Sequence, residues 1–321
     1  MLLTWSIATC LFRGEPQTKT SVAFGAALLY IISPGGVFLS APYTESTFAA
    51  INMLGVRLFL LGRELTRGGK PARSAFATVL GDLVSGVATV VRSNGILNGM
   101  LYAWDAFLCL LKVSQGELQL GRLLSLGLGG VLVGAGMALP QYQAYLEYCG
   151  QPPGGATRDW CNDRLPSIFT FVQSHYWQED ILTTMNHGLI CDRNVGAFRY
   201  WTVSNIPLFL LAAPTLAVLI WSGVKCLQAI WAQTPRGRPF LHADAAYLAV
   251  PQLVLALLAI TTYHVQIITR ISSGYPLWYI WLAVANGIGE QRPQLLGVIV
   301  RWMVLYATIQ AGLYATFLPP A

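Results

Sequence analysis

FAAINMLGVRLFLLGRELTRGGKPARSAFATVLGDLVSGVATVV, residues 48–91, holds two apolar runs, 48–61 and about 75–91, joined by a polar turn. The turn carries Arg63, Arg67, Lys70 and Arg73 against a single acid, Glu64. Runs approaching the ~20 apolar residues that a spanning helix needs, joined by a short basic loop, are the mark of two membrane helices meeting on the cytosolic side. The same alternation extends outward in both directions. Residues 22–39 precede it, and 96–112, 122–140, 201–224, 244–263, 275–288 and 294–318 follow. Residues 1–12 are only about half of a ~20-residue span and lack a charged leader and a small-residue cleavage site. They read as the end of a helix, not a signal peptide. Nine or ten helices are expected in one unit over residues 1–321, and several runs are interrupted by Gly or Pro, so two could be re-entrant.

Composition agrees. The 321 residues are 55% hydrophobic and only 11% charged, where a soluble domain carries about 25%. That excludes a soluble enzyme, a disordered tail and a secreted disulfide scaffold. The net charge of +6 comes from Lys and Arg scattered singly through short loops, with no basic stripe to bind nucleic acid. Loop charge that orients helices is the better reading.

If the 63–73 turn is cytosolic, alternation puts residues 112–122, with Lys112 and Arg122, and 225–238, with Lys225, Arg236 and Arg238, on the same side. Residues 41–46, 92–95, 141–200 and 264–274 then share the opposite, exoplasmic side. The 141–200 loop carries six acids, four Arg and three of the six cysteines, Cys149, Cys161 and Cys191. An oxidising lumen would allow a disulfide there, with partners unassigned. Cys10, Cys109 and Cys226 lie in or beside apolar helices and read as small hydrophobes.

Signatures of soluble enzymes are missing: no P-loop, no dinucleotide-binding glycine fingerprint, no nucleophile elbow, no His or Cys pair at metal spacing. The glycines of 127–136 sit in an apolar helix, where small residues serve close helix packing. Polar clusters at the exoplasmic helix ends remain. Ser40-Ala41-Pro42-Tyr43-Thr44-Glu45-Ser46 gives a carboxylate, a phenol and hydroxyls at a helix start, which could equally be a cap. Arg92-Ser93-Asn94-Gly95 reads as a turn with Gly95 at an unusual backbone angle, and an exoplasmic Arg calls for a phosphate or carboxylate partner. In the 264–270 stretch, Gln266 and Arg270 stand four apart and would form a polar pair on a continuing helix, while His264 reads as an interfacial residue or a catalyst. Asp82 and Asp105 fall within apolar runs and are expected to line a polar cavity or stay protonated, with packing or lining roles.

Taken in order, these pieces resemble the GPI mannosyltransferase 2 family, the PIG-V type enzymes. The matching pieces are Ser-Ala-Pro-Tyr-Thr-Glu-Ser at 40–46, Arg-Ser-Asn-Gly at 92–95 with Leu97-Asn98-Gly99, and Trp160-Cys161-Asn162 with Phe171-Val172-Gln173 and Tyr176-Trp177. Asn-Val-Gly-Ala-Phe-Arg-Tyr-Trp at 194–201, Ile206-Pro207 and His-Val-Gln-Ile-Ile-Thr-Arg at 264–270 complete the set. The resemblance implies an all-α GT-C glycosyltransferase in the endoplasmic reticulum membrane, with 141–200 as a lumenal loop. It implies transfer of the second, α1,6-linked mannose from dolichyl-phosphate mannose to the GPI glycolipid precursor, without a cofactor or metal. A small membrane subunit as partner is left open. On this reading Arg92 and Arg270 are candidates for holding the leaving phosphate, and Tyr43, Glu45, Asn94, His264 and Gln266 for lining the substrate site.

The pattern departs from the family twice. GT-C enzymes carry an acid, typically an Asp beside a Trp, in the first lumenal loop. By that pattern residues 1–12 match the helix after this loop, so the expected catalytic acid lies upstream of Met1 and no catalytic residue is assigned. Residues 178–193 interrupt the step from Tyr-Trp to Asn-Val-Gly. The two together suggest an omitted upstream exon and a short translated intron. With 178–193 set aside, Cys149 and Cys161 are the disulfide candidates. Two other readings compete: a transporter or lipid scramblase, and a catalytically inactive, truncated assembly subunit.

Overall fold

The computed structural model describes residues 1–113, 119–150, 158–163, 166–172, 198, 200–231, 241–262, 264–287 and 293–316. The expected 178–193 insert, Cys191, Arg199, Arg236 and Arg238 lie outside them, as do Gln173, Tyr176, Trp177 and residues 194–197 of the matching pieces. The chain forms α1 (Leu2–Leu11), α2 (Pro16–Ile31), α3 (Gly36–Ser40), α4 (Thr44–Arg67), α5 (Pro71–Val91), α6 (Gly99–Val113), α7 (Leu120–Tyr145), α8 (Ile206–Trp231), α9 (Ala245–Thr261), α10 (Ile268–Ile271), α11 (Leu277–Gly287) and α12 (Pro293–Ala315). Ten of these have ten residues or more, in line with the count expected from the apolar runs. Five helical stretches, Pro71–Val91, Ser93–Val113, Leu120–Gly150, Ile206–Trp231 and Leu296–Leu313, are long and apolar enough to cross a membrane. The protein is an all-α, multi-pass membrane protein.

One expected run is divided. The apolar stretch 22–39 is not a single helix: α2 starts earlier, with Pro16 in its first turn, and ends at Ile31, and α3 begins at Gly36. Pro34 between them has no N–H to donate to a helix. Gly35 lies so close to α10 that a Cβ would sit 3.1 Å from the Thr269 carbonyl oxygen. This break is what carries the chain across the bundle end toward Glu45.

Close approach of backbones sets the packing of α4, α5 and α7. A Cβ on Gly62 would meet the Thr78 hydroxyl at 2.4 Å, and one on Gly55 would meet that of Ser85 at 2.6 Å, so α4 and α5 form a tight antiparallel pair. The turn between them needs a left-handed residue, supplied by Gly69 at φ 68°. On the other side of α5, Gly136 of α7 faces the Gly86 carbonyl, where a Cβ would fall 2.3 Å away. The glycines of α7 divide by face: Gly129 and Gly136 are packed, whereas Gly127, Gly130 and Gly134 have open space where a side chain would go. Phe59 of α4 meets Tyr102 of α6 edge-on at 5.3 Å and Tyr247 of α9 at 5.4 Å, joining three helices by rings worth about 0.5–1.5 kcal/mol per pair beyond their buried area.

The helices keep a common polarity. Three side-chain contacts, Thr4 with Met53, Ser6 with Arg57 and Cys10 with Glu64, advance together, so α1 runs parallel to α4. The His242 N–H then donates to the Leu11 carbonyl at 2.7 Å. This places the end of α1, the basic α4–α5 turn and the start of α9 at one end of the bundle. Residues 41–46, 92–95 and 264–274 gather at the other, as alternation required. In the segment after α7, Cys149 and Cys161 form a disulfide with their Cα atoms 5.7 Å apart, and Trp160 is buried beside Phe171.

Candidate functional site

Glu45 occupies the first turn of α4 and is 1% exposed. A lone carboxylate so buried would be costly, and the fold brings two guanidiniums to it. Arg92 ends α5, in extended backbone at φ −149°, because the chain leaves the helix there for the 3₁₀ turn Ser93–Asn98. Its Nη1 lies 2.8 Å from Glu45 Oε1. Arg270 comes from α10, 225 residues on, and donates to the same oxygen from Nε at 3.0 Å and from Nη2 at 2.6 Å. Of the alternative reading of this helix start as a cap, the Ser/Thr cap is not formed, since Tyr43 is the N-cap residue and no side chain caps the helix. The acid does stand in the first turn, where it complements the helix dipole as well as meeting the arginines.

Arg270 is further fixed by rings. Its guanidinium carbon lies 4.1 Å from the centre of the Phe38 ring and 5.3 Å from that of Tyr43, the two rings standing edge to face. Thr44 accepts a long 3.3 Å bond from Arg92. Four of the residues singled out from sequence, Tyr43, Glu45, Arg92 and Arg270, thus form one constellation. Asn94 supports it through its backbone, the carbonyl accepting the Tyr275 hydroxyl at 3.0 Å, while its side-chain amide is buried without a hydrogen-bond partner among the described residues. Asn98 donates to Asn52 at 2.7 Å and Asn52 to the Gly274 carbonyl at 3.0 Å, tying the 93–98 turn and the 272–274 turn to α4.

Two expectations need correction. Gly95 does not adopt an unusual backbone angle: Gly69 holds the positive φ among the described glycines. Gly95 is small because a Cβ would lie 2.8 Å from the Thr89 backbone where the turn folds back on α5. Gln266 and Arg270 do not pair either. The chain is 3₁₀ over Val265–Ile267 before α10, no hydrogen bond joins the two side chains among the described residues, and Arg270 is engaged with Glu45 instead. The Gln266 side-chain oxygen is buried without a partner among the described residues, and His264 stands edge-on to Tyr200 at 4.9 Å, its imidazole pushed down from the usual histidine range by burial.

A family model described as "Mannosyltransferase (PIG-V)" matches residues 8–321. The chain belongs to the PIG-V mannosyltransferase family. A protein named GPI mannosyltransferase 2 from Chaetomium globosum is 44% identical over 322 residues, covering 92% of this chain and 64% of that protein. Its namesakes from Aspergillus oryzae and Gibberella zeae are each 38% identical, over 100% and 94% of this chain and 71% and 67% of their own lengths. The chain therefore spans about two thirds of these relatives. No solved structure matches it.

This PIG-V family member has a second charged cluster, at the basic end of the bundle, which reading the sequence helix by helix did not reveal. Asp105 of α6 takes Arg63 and the Tyr247 hydroxyl on one oxygen and Arg122 on the other. Asp244, just before α9, accepts Arg63 at 3.0 Å and Arg67 at 2.6 Å. Burial alone would raise the Asp244 carboxyl, but the two arginines more than offset this and hold it below the usual range. Asp105 thus does line a polar cavity, as expected. Asp82 takes the packing role that was the other expectation: it is fully buried against Gly129.

Proposed function

We propose that the chain is the membrane-embedded body of a GPI mannosyltransferase, moving mannose from dolichyl-phosphate mannose to a GPI glycolipid precursor on the lumenal side of the endoplasmic reticulum, as the second, α1,6-linked residue. The observation that carries this reading is the pairing of two arginines with one carboxylate at the end of the bundle opposite the basic loops. Glu45 cancels one charge, so the triad keeps an excess of one positive charge, on arginines whose side chains are 22% and 19% exposed. A lipid-phosphate sugar donor breaks its sugar–oxygen bond as negative charge builds on the leaving phosphate. Two guanidiniums already aligned stabilise that charge without reorganising.

Glu45 positions the pair. A carboxylate whose Oε1 accepts from both arginines is a poor proton acceptor, so the group that deprotonates the acceptor hydroxyl is a different one. Because the donor carries its own phosphate leaving group, the reaction asks for no nucleotide-sugar pocket. The family match and the names of the relatives support the same reading. The test is transfer of labelled mannose from dolichyl-phosphate mannose in microsomes containing the full-length protein, with and without Arg92→Ala. Loss of transfer at unchanged protein level is the expected result; unchanged transfer would remove Arg92 from the site.

A further inference from the structure

The basic end of the bundle holds more positive charge than its own ion pairs consume. Arg63, Arg67 and Arg122 share two carboxylates, Asp105 and Asp244. Lys112, exposed at the end of α6, adds a fourth cation and has no ion-pair partner among the described residues. Glu64 does not balance the excess: it faces α1, where it accepts the Cys10 thiol and lies 3.6 Å from Arg57. Glu117, in the connection between α6 and α7, lies outside the described residues. Among the described residues four cations stand against two acids, an excess of two positive charges, and Arg63, Arg67, Lys112 and Arg122 line a cavity of 380 Å³ together with Asp105, Leu108 and Leu111. That volume falls within the range of ligand pockets, and one wall is apolar.

The members of the cluster are not equivalent. Arg122 is 9% exposed and fully engaged, with Asp105 on Nε and Nη2 and the Thr66 hydroxyl on Nη1 at 2.7 Å, so it is framework. Arg67 is held by Asp244 on Nη2 and by the His242 ring on Nη1 but is 43% exposed, and Lys112, exposed and without an ion pair among the described residues, lines the cavity. Beside that mouth α6 turns Phe107, Leu110 and Leu111 outward, each about half exposed, where a bilayer would meet them. Cations over a pocket and an apolar rail leading away from it are complementary to a phosphate head on an acyl chain.

The geometry points to a second anion site, at the opposite end of the bundle from the Glu45 constellation: the pocket between α4, α6 and α7 binds the phosphate of an anionic ligand, with Arg67 and Lys112 as contacting residues and Arg63 and Arg122 as their support. The site is about 27 Å from Glu45 along α4, counting the rise from residue 45 to residue 63, and does not depend on the sugar-transfer reading. The same chemistry is offered by an anionic phospholipid headgroup and by free phosphate.

The experiment uses the full-length protein purified in detergent and native mass spectrometry. Phosphatidic acid and phosphatidylcholine of the same acyl composition are supplied separately, and retained lipid is counted on the wild type and on Lys112→Glu, with Lys112→Gln as a second variant should the first melt at a lower temperature. Retention of one phosphatidic acid in preference to phosphatidylcholine, reduced about fivefold or more by Lys112→Glu, is expected from the loss of one interfacial cation. Competition with millimolar inorganic phosphate identifies the source: displacement means the site reads phosphate as a free ion, and persistence means that headgroup and chain bind together. Equal retention of both lipids, or retention indifferent to both Lys112 variants, would overturn the assignment.

Discussion

Arg92 and Glu45 make opposite demands on the same contact, and that separates function from stability. When Arg92 is replaced by Ala, Glu45 keeps both of its bonds from Arg270, so the fold is expected to survive while transfer falls about 100-fold or more, the scale of losing one preorganised charge donor. Replacing Glu45 by Gln instead leaves two guanidiniums facing one another over a neutral group. About 3 kcal/mol of stability should be lost, read as a lower melting temperature in detergent, because a buried charge pair broken on one side leaves its partner uncompensated. An unaltered melting temperature would mean that water or lipid already neutralises the arginines. The sequence was legible here for a physical reason: an arginine away from the basic loops needs an anion. It was illegible at Asp105, whose partners Arg63, Arg122 and Tyr247 lie 42, 17 and 142 residues away, so no local spacing announces them.

Among the elements, α7 offers an internal control. Its glycines were readable as packing residues, but not which of them pack, since that depends on the rotation of the helix against α5. Gly129→Ala would put a Cβ 2.6 Å from the Asp82 carboxylate, and Gly136→Ala one at 2.3 Å from the Gly86 carbonyl. Each should cost about 1–3 kcal/mol or more from overpacking. Gly130→Ala and Gly134→Ala meet nothing and should hold or slightly raise stability, since Ala is the better helix former. Thermal unfolding of the four variants in one detergent would settle the face; equal losses for all four would contradict it. The helix boundaries that the apolar runs missed, at residues 16 and 32–35, are places where Pro and close backbone contact outweigh hydropathy. The Cys149–Cys161 bond was legible only in part: three cysteines in one loop leave the pairing open by themselves, setting residues 178–193 aside left Cys149 and Cys161 as the candidates, and the fold forms that bond.

For the whole molecule, the two bundle ends respond differently to their surroundings. Cysteines placed at Lys70 and at Ile96, both exposed, should react with an impermeant maleimide from opposite sides of a sealed microsome. Acid should loosen the basic end. Burial pushes His242 down from its ordinary value, with Asp244 raising it and Arg67, Arg13 and Arg63 lowering it, so the folded state prefers the neutral ring. Its contribution is present above the unfolded pKa of about 6.5 and is lost as pH falls below it. Asp244, held low in the fold, loses its contribution only at still lower pH. The melting temperature is therefore expected to drop on going from about pH 7 to pH 5, and less so in His242→Gln; an equal drop in both proteins would place the titrating group elsewhere, for example at His264.

Fastening α4 by ions at both ends also sets a ruler. Glu45 and Arg63 are separated by about 27 Å of helix rise, and neither end can shift without breaking salt bridges. Thin bilayers such as that of the endoplasmic reticulum have a hydrocarbon core of about 27 Å, those of the plasma membrane about 32 Å. A helix clamped in this way cannot lengthen or upright itself to follow a thicker membrane, so the lipid, or the less tethered α12, must absorb the mismatch. A higher melting temperature in short-chain than in long-chain lipid is the expected sign that these charges favour a thin bilayer.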